Sequence, residues 1–403
     1  MTTREFDIIV WGATGFTGRL VTEYLAGEYG VGGELKWAVA GRSPEKLAAV
    51  MAEVGATEAP RVIADAGDPA SLDEMARRAK VVLTTVGPYQ KYGEPLVAAC
   101  AAAGTDYVDL CGEPPFMRRM IDAYSDKALE TGARIVHSCG FDSIPFDLGV
   151  YYVQKLYADA YGAPARDVKC RVLDMRGGMS GGTAASAVAT LELAEADAQV
   201  RDVMRDVYAL APDPSATRPR QPNVRTPHYD ADAGVWAAPF IMADINMRNV
   251  HRSNMLMEYA YGRDFRYSEM MAAPNAAAAY AIAGGMGAFG AGLAFAPTRA
   301  LLKSAILPKP GEGPSKRQRE AGYFKALFIA KGEGGAMAKA MVTGDRDPGY
   351  GSTSKMISEA AACLALDLPK GSNAGGVTTP AAAMGDALIE RLTARAGLTF
   401  GSA

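Results

Sequence analysis

The sequence predicts an α/β protein, with a doubly wound parallel sheet followed by a second α+β domain. Apolar, strand-like segments alternate with helical segments over residues 1–147, which predicts a parallel sheet covered on both faces. A glycine-rich turn joins the first of these strands directly to a helix. Over residues 148–350 the alternation gives way to a longer strand, a long helix and a proline-rich loop. The first region is therefore expected to be of the Rossmann type, and the second to be a substrate or oligomerisation domain.

The elements follow in order along the chain. Six strands are predicted in the first domain, at Asp7–Trp11, Lys36–Ala40, Val62–Ala64, Val81–Val86, Thr105–Asp109 and Arg134–His137. Helices are expected between them, as at Pro95–Ala103 and Phe116–Thr131. In the second domain we expect a strand over Asp167–Met175 and a helix over Ala184–Leu210, followed by a proline-rich exposed loop over Pro212–Pro227.

The turn after the first strand has the glycine spacing of a dinucleotide-binding site. It comprises Gly12, Ala13, Thr14, Gly15, Phe16, Thr17 and Gly18. Gly12 permits a tight turn, Gly15 lets the backbone approach a pyrophosphate, and Gly18 lets the helix pack closely on the strand. The unpaired amides and the dipole of the helix N-terminus favour phosphate there. The alternative is an ordinary turn from strand to helix.

The end of the second predicted strand indicates NADP rather than NAD. An NAD site usually has an acidic residue here to accept from the ribose 2′-hydroxyl. This chain instead has Arg42 and Ser43, with Lys46 one turn later, and a guanidinium can pair with a 2′-phosphate. The alternative is that Arg42 and Lys46 are simply solvent-exposed residues at the start of a helix. Asp65, after the third strand, is expected near the adenine.

Composition excludes several classes of protein. The 403 residues carry a net charge of −3 and no dense basic tract with interleaved aromatic residues, so nucleic-acid binding is not expected. The five cysteines are scattered and no secretory signal is visible, which favours reduced thiols and a cytoplasmic location. The three histidines lack metal-ligand spacing, so no metal site is expected.

One long segment, Met270–Thr298, contains no charged residue. Its length would cross a bilayer, but it consists mostly of alanine and glycine and has few large apolar side chains. Buried helix packing or an oligomer interface, such as that of a homodimer, is the favoured interpretation. Peripheral membrane contact through residues 270–319 and a true span remain alternatives, since the run Lys303–Arg319 is basic enough for an anionic lipid surface.

Beyond the glycine turn, several motifs resemble those of the saccharopine dehydrogenase-like oxidoreductases, and more closely their enoyl reductase branch. The motifs are Ala40–Ser43, Thr84–Tyr89, Gly140–Pro145, Ser180–Thr183, Arg252–Asn254, Tyr261–Arg263, Phe265–Tyr267, Asp347–Tyr350 and Thr378–Gly385. The resemblance covers essentially the whole chain. It implies an NADPH-dependent reductase acting on a C=C bond of a lipid or polyketide acyl thioester, either a small molecule or bound to a carrier. It also implies that helices in residues 351–403, expected at Ser352–Leu366 and Pro380–Ala396, return to the nucleotide-binding domain.

Enoyl reduction needs a hydrogen-bond donor for the thioester oxygen and a proton for the α-carbon. The loops at the carboxyl ends of the strands should surround the nicotinamide, with Val86, Gly87 and Pro88 along the cofactor. Tyr89 and Lys91 are the leading donors, although Tyr89 could instead pack on the nicotinamide ring. Asp142 and Ser143 could orient substrate or water, or cap the helix that follows them.

Two further groups of residues are candidates for substrate binding. The helix start at Ser180–Thr183 could hold a thioester oxygen or a carrier phosphate, or could be an ordinary cap. The basic residues could dock a carrier protein, bind a substrate carboxylate, or pair with acids of their own domain: Arg248, His251, Arg252, Arg263 and Arg266.

Two other functions remain open at this point. One is a saccharopine-type C–N oxidoreductase acting on an amino acid, which would need paired arginines for carboxylates. The other is a non-catalytic NADP(H)-binding protein associated with lipid or membranes.

Overall fold

The strands form two seven-stranded sheets in the part of the chain that the computed structural model describes, residues 4–177, 181–213, 215–295, 297–299 and 313–403. The first sheet is parallel throughout, with the order β3-β2-β1-β4-β5-β6-β13. Its strands are β1 (Phe6–Trp11), β2 (Trp37–Gly41), β3 (Arg61–Ile63), β4 (Ala79–Thr84), β5 (Asp106–Val108), β6 (Arg134–Val136) and β13 (Gly376–Thr378). All six residues of β1 are buried, as expected for a central strand covered on both faces.

Helices connect these strands and cover the sheet. They are α1 (Phe16–Tyr29), α2 (Pro44–Glu53), α3 (Pro69–Arg78), α4 (Tyr89–Tyr92), α5 (Glu94–Ala103) and α6 (Pro114–Thr131). Side chains of Ser43 and Asp68 cap α2 and α3, each followed by a proline in the first helical turn. The predicted doubly wound sheet is confirmed, and its six predicted strands lie within two residues of their expected ends. The seventh strand, β13, was not predicted.

The second sheet is mixed, with the order β14-β12-β11-β7-β10-β9-β8. Its strands are β7 (Asp167–Arg176), β8 (His228–Asp230), β9 (Val235–Pro239), β10 (Arg266–Ala273), β11 (Tyr323–Lys331), β12 (Met337–Gly344) and β14 (Leu398–Ser402). The central strand β7 pairs parallel with β10 and antiparallel with β11. The helices that pack on this sheet include α7 (Ile144–Tyr161) and α10 (Ala243–Leu256).

The chain passes between the two sheets more than once. Helix α7 follows the loop after β6 and carries the chain into the second domain. The C-terminal helices are α13 (Thr353–Ala362) and α14 (Pro380–Arg391), each extended by a π-helical turn. Helix α13 contacts α1, β1, β4 and β5, and so lies against the first sheet, while α14 packs mainly on α7. The last strand, β14, pairs with β12 in the second sheet.

The predicted helix over Ala184–Leu210 is wrong, because two helices occupy this region. They are α8 (Gly181–Ala196) and α9 (Ala198–Arg205), and they meet at Asp197. The Asp197 carboxylate accepts a hydrogen bond from the Gln199 backbone N–H at 2.7 Å and so caps the second helix. An aspartate with this capping geometry starts a new helix rather than continuing the old one.

The uncharged segment contradicts one of its two favoured interpretations, buried helix packing, and leaves the other, an oligomer interface, untested. It begins within β10 and continues as the helix α11 (Ala276–Ala294). In α11 only Ala279 and Leu293 are buried, so the expectation of buried helix packing within the chain is wrong. Among the described residues, α11 is the one helix that is long and apolar enough to cross a membrane. The remaining helix considered below is α12 (Lys316–Glu320).

Candidate active site at the carboxyl edge of the first sheet

The glycine turn between β1 and α1 is packed so tightly that two of its positions exclude a side chain. Gly12 has φ +93°, in the left-handed region, and a Cβ there would lie 2.6 Å from Val86 Cγ2. A Cβ on Gly18 would lie 2.1 Å from the Gly12 carbonyl oxygen, so this glycine brings α1 onto the turn. Gly15 occupies the N-cap position of α1, and a Cβ there would make a tight contact with the Gly12 carbonyl oxygen at 3.3 Å, which a shift of a few tenths of an ångström would relieve.

The N-terminus of α1 is open to an anion. No side chain caps the helix, and its first intrahelical bond runs from Arg19 N–H to the Gly15 carbonyl. The amides of the first turn therefore have no partner within the helix, and they stand at the positive end of its dipole. Gly15 is exposed, while Thr14, Phe16 and Thr17 are half-buried around it and Ala13 is buried below. This cradle fits the pyrophosphate of a dinucleotide.

The end of β2 presents basic side chains next to this cradle. Arg42 and Lys46 are both exposed. The Ser43 hydroxyl accepts from the Lys46 backbone N–H at 3.2 Å and donates to the Glu45 carboxylate at 2.8 Å, so it serves as the cap of α2. Asp65 follows β3, half-buried, and its carboxylate accepts from the Gly67 N–H at 2.9 Å. Arg42 and Lys46 are therefore the side chains free to meet a 2′-phosphate.

Tyr89 is placed differently from the predicted proton donor. Gly87 and Pro88 lead into it after Val86, whose side chain packs on Gly12. The Tyr89 ring is buried; its hydroxyl donates to the Thr84 carbonyl at 3.3 Å and accepts from the Leu110 N–H at 3.0 Å. Burial raises the pKa of Tyr89 well above its ordinary value. This geometry gives the phenol a structural task, because the neighbouring backbone occupies its hydroxyl.

Lys91, the other leading donor, projects from α4 and is exposed. It lies two residues beyond the buried Tyr89, on the same four-residue helix. The structure therefore leaves its ammonium group accessible at the carboxyl edge of the sheet.

Glu113 is a functional candidate to which the sequence analysis gave no role. Its buried carboxylate accepts from the backbone N–H groups of Tyr89 and Gln90, at 3.0 and 2.9 Å. It also accepts from the Ser186 hydroxyl of α8 at 2.7 Å, and burial raises its pKa. Glu113 thus ties the loops after β4 and β5 to the second domain. A glutamate directly before Pro114 and Pro115, where a helix begins after the fifth strand, was the available signal.

Helix α8 lies over these loops. Besides the contact of Ser186 with Glu113, the Gln90 side-chain amide donates to the Thr190 hydroxyl at 2.6 Å. Of the predicted binding motif at the start of this helix, Ser180 and the side chains of residues 181–183 lie outside the described part of the chain. The helix nevertheless forms one wall above the carboxyl edge of the first sheet.

Asp142 stands at this edge as a carboxyl group with few polar neighbours. It is half-buried beside Gly112, where a Cβ would come within 3.3 Å of Asp142 Oδ2. Desolvation by the surrounding protein raises the pKa of Asp142 to about 7. A carboxyl group with this pKa can both hold and release a proton near neutral pH.

Ser143 does not cap α7 with its side chain, although it occupies the N-cap position. Its buried hydroxyl donates to Asn246 Oδ1 at 3.0 Å and accepts from Asn249 Nδ2 at 2.6 Å. Its φ of +155° is unusual for a serine. Two asparagines of α10 thus fix the residue next to Asp142, so Ser143 positions the loop rather than facing a substrate.

The contacts of Ser143 continue into the second sheet. Asn246 Nδ2 donates to the buried Glu269 carboxylate at 2.7 Å, and the Tyr267 hydroxyl donates to its other oxygen at 2.8 Å. Burial raises the pKa of Glu269 to about 8, which keeps this carboxyl largely protonated at neutral pH. A buried polar chain therefore joins the loop of Asp142 to strand β10.

The predicted basic set does not form a docking surface: Arg248, His251, Arg252, Arg263 and Arg266. Arg248 and Arg252 are buried and donate to backbone carbonyls, of Met204 at 2.7 Å and Leu210 at 2.5 Å. Burial lowers the pKa of His251 to about 3, so this imidazole is neutral. Arg266 pairs with Asp167 at 2.6 Å, and Arg263 stacks on Tyr259 at 4.3 Å from the ring centroid. Most of these side chains thus serve the second domain's own packing.

The described residues contain no group of three or more His, Cys, Asp or Glu side chains that could hold a metal ion. The candidate site therefore consists of the glycine cradle, a basic rim formed by Arg42 and Lys46, and the carboxyl group of Asp142.

Comparison with known proteins gives matches to a family model and to curated relatives. Residues 8–136 match the family model of the saccharopine dehydrogenase NADP binding domain. The chain is 48% identical to a Mycobacterium tuberculosis (strain ATCC 25618 / H37Rv) protein provisionally named as a trans-acting enoyl reductase, over 98% of this chain and 96% of that protein. A trans-acting enoyl reductase of Mycobacterium ulcerans (strain Agy99) is 44% identical, over 96% of each chain.

Among solved structures, apo saccharopine dehydrogenase (L-Glu forming) from Saccharomyces cerevisiae matches with a TM-score of 0.54 and 11% identity. The match covers 99% of this chain and 100% of that one. At this identity the likeness establishes a shared fold.

Proposed function

The chain belongs to the trans-acting enoyl reductase family of the saccharopine dehydrogenase-like, NADP-binding oxidoreductases, and we propose that it uses NADPH to reduce a C=C bond of an acyl thioester. The observation that carries the proposal is the glycine cradle with a basic rim at the carboxyl edge of a parallel sheet. In such sheets, ligands bind at this edge, where the strand order reverses beside β1.

The residues of the first domain fit NADPH. The open amides of α1 would hold the pyrophosphate, and Arg42 with Lys46 would meet the 2′-phosphate. Asp65 stands on the adenine side, and Val86 to Pro88 on the nicotinamide side. When bound, NADPH supplies the hydride that reaches the β-carbon of the substrate.

We assign the proton for the α-carbon to Asp142. Its pKa of about 7 lets the carboxyl group donate at neutral pH, and no hydrogen bond within the described residues uses its oxygens. Ser143, fixed by Asn246 and Asn249, holds the loop in place. Lys91 is the second candidate, because it is exposed at the same edge and can stabilise charge on the thioester oxygen.

The arginines of helix α10 do not favour the alternative of amino-acid C–N chemistry. That reaction needs paired arginines in the pocket to bind substrate carboxylates. Arg248 and Arg252 are buried and donate to the chain's own carbonyls. We therefore favour an acyl substrate, free or on a carrier.

We also propose that residues 270–319 contact an apolar partner, because α11 is uncharged and mostly exposed. A lipid surface and a second copy of the chain are the two occupants expected from the sequence. Flotation with anionic vesicles and light scattering of the purified protein distinguish them. Tyr280, exposed on α11, offers a variant: Y280D should weaken whichever association occurs.

The central experiment measures NADPH consumption by purified protein against trans-2-enoyl thioesters of increasing acyl length. A glutamate-plus-aldehyde pair, which forms an imine, runs in parallel. We expect turnover with the thioesters and none with the imine pair. Turnover with the imine pair alone would move the protein to C–N chemistry, and NADPH binding without any turnover would favour a non-catalytic role or a missing carrier partner.

The basic rim is tested by coenzyme choice. Arg42→Asp should weaken NADPH binding far more than NADH binding, because only NADPH carries the 2′-phosphate that a carboxylate repels. Titrations of both coenzymes into wild type and variant measure this. Equal effects on the two coenzymes, or none, would contradict the 2′-phosphate assignment.

A further inference from the structure

Three residues of the second domain meet over Phe16, the first residue of α1. The Arg319 guanidinium carbon lies 5.7 Å from the Phe16 ring centroid. The Tyr350 ring meets the Phe16 ring edge-on, with centroids 5.1 Å apart. Gly313 contacts the same ring so closely that a Cβ there would lie 2.4 Å from Phe16 Cε1. The glycine turn of the first domain is therefore covered from across the cleft.

Hydrogen bonds and close backbone packing hold Arg319 in this position. Its Nη1 donates to the Pro314 carbonyl at 2.8 Å, and its own carbonyl accepts from the Asp347 N–H at 2.9 Å. Gly322 allows the approach, because a Cβ there would lie 2.3 Å from Asp347 Cα. The Asp347 carboxylate in turn accepts from the N–H groups of Tyr350 and Gly351, at 2.9 and 3.1 Å. These contacts fix the position of the Arg319 guanidinium next to Phe16.

The charge of Arg319 is not neutralised by its surroundings. No carboxylate in the described part of the chain lies within ion-pair distance of it, whereas Lys316 of the same helix approaches Glu23 at 3.9 Å. Arg319 is partly exposed and rests on the residue that opens α1. The unpaired amides of that helix are the expected pyrophosphate site. A cation of the second domain therefore lies next to Phe16, the residue at which the free amides of α1 begin.

We propose that Arg319 of the second domain binds the pyrophosphate of NADP(H) across the cleft, opposite the amides of α1. This inference rests on the proposed NADP(H) binding. A guanidinium can form two parallel hydrogen bonds to a phosphate, which suits this position. Since the pyrophosphate is common to both coenzymes, Arg319 contributes affinity but not the choice between NADPH and NADH. Arg42, by contrast, is proposed to bind the 2′-phosphate and so to favour NADPH over NADH.

The test compares Arg319→Ala with Arg317→Ala, an exposed arginine of the same short helix. Dissociation constants for NADPH and NADH are measured by calorimetry, with thermal unfolding as a check on folding. Loss of a charge-assisted contact should raise both constants by roughly tenfold or more in R319A, with the same factor for each coenzyme. R317A should stay close to wild type, and R319K should recover part of the loss.

Each other outcome overturns a stated part of the argument. If R319A binds both coenzymes as tightly as wild type, Arg319 does not contact the cofactor. If only NADPH binding weakens, Arg319 binds the 2′-phosphate and the pyrophosphate assignment is wrong. If wild type itself binds neither coenzyme, the proposed function fails rather than this inference.

Discussion

Gly18→Ala is the substitution for which the structure gives the clearest expectation. The added Cβ would lie 2.1 Å from the Gly12 carbonyl oxygen, 2.7 Å from the Gly12 carbonyl carbon and 2.9 Å from Ala13 Cα. All three atoms belong to backbone, so no side chain can rotate away to relieve the contact. Either α1 or the glycine turn must move by about 1 Å to restore ordinary contact distances.

The magnitude follows from this displacement. Overpacking of a close contact destabilises a protein by about 1–3 kcal/mol. Because the entropy of unfolding is about 2.1 cal/mol/K per residue, a chain of 403 residues loses roughly 1 °C of Tm per kcal/mol. Because the turn and the helix N-terminus form the two halves of the phosphate cradle, separating them should also weaken NADPH binding, by about tenfold or more.

Two neighbouring glycines provide matched controls. Gly15 has φ −74°, which alanine adopts freely, and the Cβ added by Gly15→Ala would lie 3.3 Å from its nearest neighbour, the Gly12 carbonyl oxygen. This substitution should leave Tm nearly unchanged but weaken NADPH binding, because the methyl group occupies the face that the pyrophosphate approaches. Gly27→Ala, exposed in the last turn of α1 with open space around it, should stabilise the helix by up to about 0.5–1 kcal/mol and leave NADPH binding unchanged.

Differential scanning calorimetry and NADPH titration of the three variants measure both quantities. A Tm for G18A equal to that of wild type would refute the packing argument. Normal NADPH binding by G15A would refute the placement of the pyrophosphate at this turn, whatever G18A does.

Three further substitutions test the carboxyl edge of the first sheet. Asp142→Asn should lower kcat by about 10²-fold or more. It should also remove the fall in kcat/KM that the wild type shows as pH rises through about 7, because the carboxyl group donates a proton only while it is protonated. An unchanged pH profile would assign the proton to another group. Tyr89→Phe should lower the free energy of unfolding by about 1–3 kcal/mol without altering that profile, since its hydroxyl bonds to backbone; a selective loss of kcat in a fully stable variant would return the phenol to the chemistry. Glu113→Gln leaves one acceptor oxygen for three donors and should destabilise the protein by about 1–3 kcal/mol in denaturant unfolding; equal stability would show that these bonds contribute little.

The strands of the first sheet were predictable because each is a short apolar run next to a turn signal. Strand β13 was not, because Gly376–Thr378 is three residues long and gains its partner, β6, from a distant part of the chain. The break at Asp197 was visible in principle as a helix-capping residue. Apolar composition correctly indicated a helix within Met270–Thr298, but composition alone does not say what surrounds a helix.

At the site, the glycine positions were readable from spacing because backbone geometry determines them. Side-chain direction was not. Tyr89 follows Gly87 and Pro88 as a cofactor-facing residue would, yet its hydroxyl turns to the Thr84 carbonyl. Ser143 stands where a cap belongs, yet Asn246 and Asn249 of another domain attract its hydroxyl. In each case the hydrogen-bond partner that determines the side-chain direction is distant in sequence or is a backbone group, so no local sequence pattern predicts it.

The late position of β13 in the chain has a consequence for biosynthesis. Thr378 pairs with Val136, so about 240 residues must be translated before the edge of β6 is covered. At 5–20 residues per second, the ribosome needs on the order of 10–50 s for that stretch. The nascent first domain therefore carries an open parallel edge while the whole second domain emerges, and such edges promote aggregation. Production in a heterologous host should accordingly benefit from chaperones that shield exposed strands.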